Sequence, residues 1–205
     1  MPGRVLYGLT IFLSAFLAFQ VQPLMAKLIL PWFGGAAAVW TTCLVFFQVV
    51  LLLGYAYAHG LIRRVRPVHQ SRVHMTLLTV SLLAMPIIPN AALKSPTSGE
   101  PAWRLLLLLT LTVGLPYFVL TSTSPLLQAW STDERGGSQV YRWYALSNAG
   151  SLLAVVSYPV LFEPFLSTRF QAVGWSVAYG LVCVLVAAVA LLRRNAHALA
   201  ASAAE

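Results

Sequence analysis

Residues 17–35 read LAFQVQPLMAKLILPWFGG, and within that oily run stand Gln20, Gln22, Pro23 and Lys27. Amides and an ammonium in an apolar helix point to one of two roles. They tie neighbouring helices together, or they handle something polar inside a membrane. Gln20 and Lys27 are seven residues apart and share nearly one helical face. Pro23 lies between them and removes the hydrogen bond to the Phe19 carbonyl, so that carbonyl and the Gln20 amide form a local polar spot. Gln48 stands in the next apolar run. Further on, Gly114, Tyr117, Thr121, Ser124 and Gln128 recur at steps of three or four, as do Tyr144, Asn148, Ser151 and Tyr158. Such stripes serve close helix packing or line a polar cavity. Asn148 is the strongest single member, because its amide has several hydrogen-bonding sites to satisfy away from water. Lys27, an outer-surface anchor, and Glu163 are expected at the same depth, which predicts an ion pair.

The residues that would carry out a reaction are missing. No Walker A, HExxH or GxSxG pattern occurs, and Asp133 is the only aspartate. Asp133 and Glu134 are the only adjacent carboxylates and read as loop charge; Glu100, Glu163 and Glu205 stand alone. Cys43 and Cys183 lie inside apolar runs without CxxC spacing, so neither a disulfide framework nor a zinc site is expected. His59, His69 and His74 border the loop HGLIRRVRPVHQSRVH and read as solvated, not as a metal set. The expectation is a chain without catalytic activity and without a cofactor other than bound lipid.

The elements that position these residues follow from composition. The chain has 205 residues, 59% hydrophobic and 9% charged, with mean hydropathy +0.79. Soluble domains carry roughly 25% charged residues, so an all-α integral membrane protein is expected. A spanning helix needs about 20 apolar residues. Runs of that kind predict six spans, at about 5–26, 36–62, 73–93, 105–132, 143–162 and 170–192, with a polar, Ala-rich tail at 195–205 that reads as a stop or linker. The first run is too long for a signal sequence and is kept as a mature helix. The net charge of +8 does not indicate nucleic acid, since no base-reading motif accompanies it. Arg4, Arg63, Arg64, Arg66, Arg72, Arg135, Arg142, Arg193 and Arg194 fall on one side of the spans; Lys27, Lys94, Arg104 and Arg169 fall on the other. The positive-inside rule then places both termini in the cytoplasm, with the loop arginines 63, 64, 66 and 72 against anionic lipid or an acidic partner. Trp32, Trp40, Trp103, Trp130 and Trp143 sit near span ends, as aromatic belts do.

VQPLMAKLILPWFGG and TSPLLQAWSTDERGG share a spacing. Pro23 and Pro125 are 102 residues apart, as are Leu24 and Leu126, Gly34 and Gly136, and Gly35 and Gly137. Ser122 and Ser124 stand where the first copy has Gln20 and Gln22. Spans one to three and four to six then read as an inverted pair, the architecture of one six-helix half of a major facilitator transporter.

The stretches AFQVQPLMAKLILPWFGGAAAVWTTCLVFFQVVLLLGYAYAH and YRWYALSNAGSLLAVVSYPVLFEPF resemble the N-terminal membrane region of bacterial fused major-facilitator/spermidine-synthase proteins. The resemblance implies an inner-membrane protein. Family members continue into a soluble aminopropyltransferase-like domain, which these residues do not contain, so synthase activity is not expected. Three roles follow as expectations: an accessory or structural subunit of a larger membrane complex; a half-transporter for a small polar or cationic solute such as a polyamine, pairing with a second copy; or a membrane anchor for a separate synthase-like enzyme.

Overall fold

The apolar runs fold into helices whose ends are set by glycine and proline. The structure, a computed structural model, is described over residues 2–90, 101–135 and 140–202, without the side chains of 2, 101, 132–135, 140 and 196–202. Helix α1 (Pro2–Phe33) runs through Pro23 and Pro31 and ends at Gly34. Gly34 takes the left-handed φ of 81° and donates its N–H to the Leu30 carbonyl at 2.8 Å, a stop for which glycine lacks the Cβ penalty. Helix α2 (Ala37–Arg64) gives way to an extended Val65. Arg66 is extended as well, because the following Pro67 excludes the helical region, and Pro67 opens α3 (Pro67–Ser81).

Helix α4 (Pro101–Leu109) passes through a widened π-helical turn, Thr110–Gly114, into α5 (Leu115–Arg135). Helix α6 (Val140–Ser157) passes through a second, Tyr158–Phe162, into the single turn α7 (Glu163–Phe165). A proline adjoins each widened turn, Pro116 after the first and Pro159 within the second; the missing N–H relaxes the regular ladder there. Helix α8 (Thr168–Ser202) completes the chain.

Five helices are long and apolar enough to cross a membrane, over 3–33, 37–64, 102–131, 141–165 and 168–195. The expected third span at 73–93 differs. Its helix begins earlier, at Pro67, and ends in a short 3-10 turn at Leu82–Ala84 before the Pro86 and Pro89 segment. Residues 91–93 lie outside those described, as do Lys94, Glu100, Gly136, Gly137 and Glu205. The last span ends at 195, and the helix α8 continues past it to Ser202; alanine is the best helix former.

The α4–α5 rod is the centre of the bundle, buried over 67% of its apolar window, whereas the windows of α2 and α6 are only 28% and 22% buried. Helix α1 packs most extensively on α6, and α2 on α5. Both crossings are close because they meet at glycine. A Cβ on Gly150 would come within 2.7 Å of the Phe12 carbonyl, and one on Gly54 would collide with Thr121 Oγ1. Tyr7, Leu61, Trp130, Trp143 and Val189 gather at the end where α1 begins and α8 leaves. Residues from Leu17 to Ile29 of α1 join the main core with Phe47, Leu109, Tyr117 and Tyr179.

Candidate functional site

Helices α2 and α6 stand as two walls with α1 and α5 between them. The groove they enclose, about 520 Å³ at its widest, is lined by Gln22, Pro23 and Lys27 of α1, Trp40 and Phe47 of α2, and Tyr158 and Glu163 beyond α6, among others. At its mouth Lys27 Nζ lies 3.4 Å from Glu163 Oε1 and 3.5 Å from the Glu163 carbonyl oxygen. Both side chains are partly exposed, so the pair orients the mouth more than it stabilises the fold. Deeper in, Gln22 Nε2 donates to the Tyr117 hydroxyl at 3.1 Å. Tyr55 is within electrostatic reach of both Tyr144 and Tyr117. Ser124 and Ser147 hydroxyls bridge α5 to α6 at 3.1 Å, and Gln128 Nε2 reaches Ser124 Oγ at 3.4 Å. Hydroxyls and one amide therefore run along α5, with Tyr117 and Ser124 buried, and of this polar set Gln22 is the member that lines the groove.

Other expected site residues go elsewhere. Gln20 lines a different cavity from Lys27: it is buried beside a space of about 280 Å³ between α1, the Tyr158–Phe162 turn and α8, with Tyr158, Gln171, Gly174 and Trp175. Thr121 returns its hydroxyl to the Phe118 carbonyl at 2.9 Å and packs against Gly54. Ser151 does the same with the Ser147 carbonyl at 3.1 Å. Asn148 and Tyr144 do not face the interior. Both are exposed on α6, Tyr144 within electrostatic reach of Tyr55 on α2, and Gln48 is exposed on α2. The stripe Tyr144, Asn148, Ser151, Tyr158 thus winds from exposed positions to a buried one.

A polar cluster that the sequence reading missed lies at the end where the chain begins and leaves. Trp130 Nε1 donates to Gln70 Oε1 at 2.8 Å, while Gln70 Nε2 donates to the Val65 carbonyl at 2.9 Å and the Ile62 carbonyl at 3.4 Å. The Arg193 guanidinium sits 4.9 Å from the Trp130 ring centroid. His74 Nε2 and Thr123 Oγ1 are 3.0 Å apart. Thr123 gives its single hydroxyl proton to the Val119 carbonyl at 2.7 Å, so the histidine is the donor. His74 is therefore a buried link between α3 and α5, not a solvated loop residue. Trp130 and Trp143 are buried packing residues, not belt residues. Arg63, Arg64, Arg66 and Arg72 are exposed. The missed signal was a glutamine one turn past each tight turn, in RPVHQ and STRFQ.

Cys43 and Cys183 are free and buried, and among the described residues no three His, Cys, Asp or Glu gather as a metal site. No family model, curated protein or solved structure matches this chain.

Proposed function

We propose that the chain is a non-catalytic, multi-pass membrane module that works as an accessory or structural subunit of a larger membrane assembly, its partner lying against α2 and α6. The observation that carries this reading is the placement of Gln48 and Asn148. Both are exposed on the least buried helices of the bundle, the two helices that also supply residues to the walls of the groove. An amide facing lipid lacks hydrogen-bond partners and is costly, so polar intramembrane residues normally face protein or water. A partner helix over this face supplies those bonds.

The groove floor favours a second reading, a half-transporter resembling one half of a major facilitator. Gln22, backed by Tyr117, would then face a solute such as a polyamine, with Glu163 near the mouth, once a second copy closes the groove. Two features support the underlying inverted repeat of six traverses. The α1–α6 and α5–α2 crossings correspond under exchange of the two halves, and Gln70 and Gln171 each donate to the carbonyl five residues before. The bacterial inner membrane, with both termini cytoplasmic, is proposed from the arginine excess at one end.

The test is purification in mild detergent, with mass measurement and identification of co-purifying chains. A heteromeric complex supports the subunit reading; a homodimer that moves a polyamine in proteoliposomes supports the second. Asn148→Leu with Gln48→Leu should dissociate either. A monomer in lipid nanodiscs that this double variant leaves unchanged overturns both.

A further inference from the structure

On the side of the bundle away from the α2–α6 groove, a cleft of about 500 Å³ runs between the start of α3 and the last membrane turns of α8. Three arginines line it, Arg72 on α3 and Arg193 and Arg194 on α8, together with Met75, Ala187 and Ala190. We propose that this cleft binds one anionic phospholipid, its phosphate on the three guanidinium groups and its acyl chain along Met75, Ala187 and Ala190.

The volume lies within the roughly 300–1,000 Å³ of small-molecule sites. Its lining changes character along its length. Met75 is one turn further into α3 than Arg72, and Ala187 and Ala190 are one to two turns further into α8 than Arg193 and Arg194. A charged mouth above an apolar throat matches a headgroup above an acyl chain and does not match a free phosphate. Arg72, Arg193 and Arg194 thus line one space beside an apolar throat. Guanidinium forks hold phosphate oxygens in pairs.

The two walls are also joined in advance. Arg193, only 3% exposed, is stacked on Trp130. Trp130 is held by Gln70, and Gln70 secures the turn into α3 two residues before Arg72. Arg193 is thus part of a built corner, and Arg72 and Arg194 stand on the two helices that form it; Arg63 and Arg64, at the end of α2, lie outside the cleft.

The experiment is native mass spectrometry of the full chain in detergent, titrated with phosphatidylglycerol, phosphatidylcholine of the same acyl chains, or inorganic phosphate. The first bound phosphatidylglycerol should bind at least about tenfold tighter than phosphatidylcholine. Arg72→Gln with Arg194→Gln, both at exposed positions, should remove that preference. Arg63→Gln with Arg64→Gln should change it by less than about twofold. Ala187→Leu with Ala190→Leu should fill the throat and weaken lipid binding with all charges kept. Equal losses in the two arginine pairs would show diffuse surface charge and overturn the proposal. So would equal affinity for the two lipids, or binding of inorganic phosphate as tight as that of phosphatidylglycerol. Circular dichroism checks that each variant is folded; should the glutamine pair unfold, Arg72→Lys with Arg194→Lys replaces it, and an unchanged preference there together with an inert alanine pair also overturns the site.

Discussion

The turn from α2 into α3 and the turn from α6–α7 into α8 are wired alike but for one carbonyl: Leu61 and Ile62 share the work that Phe162 does alone. Val65 N–H returns to the Leu61 carbonyl and Leu166 N–H to the Phe162 carbonyl, each at 3.1 Å. Gln70 Nε2 holds the Val65 and Ile62 carbonyls; Gln171 Nε2 holds those of Leu166 and Phe162, at 2.8 and 3.0 Å. In both, a glutamine side chain satisfies carbonyls that the ending helix leaves orphaned. They differ at the other atom of the amide. Gln70 Oε1 accepts Trp130 Nε1 at 2.8 Å, whereas Gln171 Oε1 is buried with no hydrogen-bond partner among the described residues, in the wall of the cavity that also holds Gln20. Local sequence builds the turn. What the spare oxygen does is decided by which distant residue arrives beside it.

The comparison can be broken most sharply at the glutamines. Gln70→Leu removes two carbonyl contacts and strands the buried Trp130 N–H, so it should cost roughly 2–4 kcal/mol. Gln171→Leu removes only the carbonyl contacts and should cost roughly 1–2 kcal/mol. Denaturation midpoints in mixed micelles read both, and equal costs would show that the Trp130 bond contributes nothing.

The two helix crossings extend the comparison between the halves. Gly150→Ala drives a Cβ onto the Phe12 backbone oxygen and should cost about 1–3 kcal/mol. Gly54→Ala meets chiefly the Thr121 side chain, which can turn, and should cost less; the reverse order of melting temperatures contradicts this. A smaller effect is expected from Trp130→Phe, which keeps a ring beneath Arg193 but leaves Gln70 Oε1 as bare as Gln171 Oε1. About 1 kcal/mol should be lost, and the further cost of Gln70→Leu in that background should fall towards that of Gln171→Leu.

The smallest effect belongs to Gly174→Leu, in the cavity beside Gln171. A Cβ there meets no atom within 4 Å. With helix propensity in its favour, the change should be neutral or stabilising by up to about 1 kcal/mol. A clear loss of thermal stability would mean that the cavity must stay open.

Much was legible in the residues themselves. The runs that avoid charge became helices at the expected places, except where Pro86 and Pro89 cut the third short. Lys27 and Glu163 meet at one depth, because the length of a helix places both ends of neighbouring spans together. What was not legible was direction. Asn148, read as a residue with hydrogen bonds to satisfy, is exposed in the single chain; His74 and Trp130 were expected at the surface and are buried. In a soluble protein, polarity tells the inner face of a helix from the outer one. In a chain this apolar, the faces against lipid and against other helices are both oily, so spacing gives relative angles around a helix and never says which neighbour an angle meets.

The sequence by itself therefore determined the class of the protein, the register of its helices along their axes, and the local turns, because these depend on hydropathy, proline, glycine and nearby hydrogen bonds. Only the tertiary structure decided which amides look inward, that Gln20 and Gln22 serve different cavities, and that Arg72 lines one cleft with Arg193 and Arg194. Those outcomes depend on the rotation of each helix about its own axis, which is set by close packing at contacts such as Gly54–Thr121 and Gly150–Phe12.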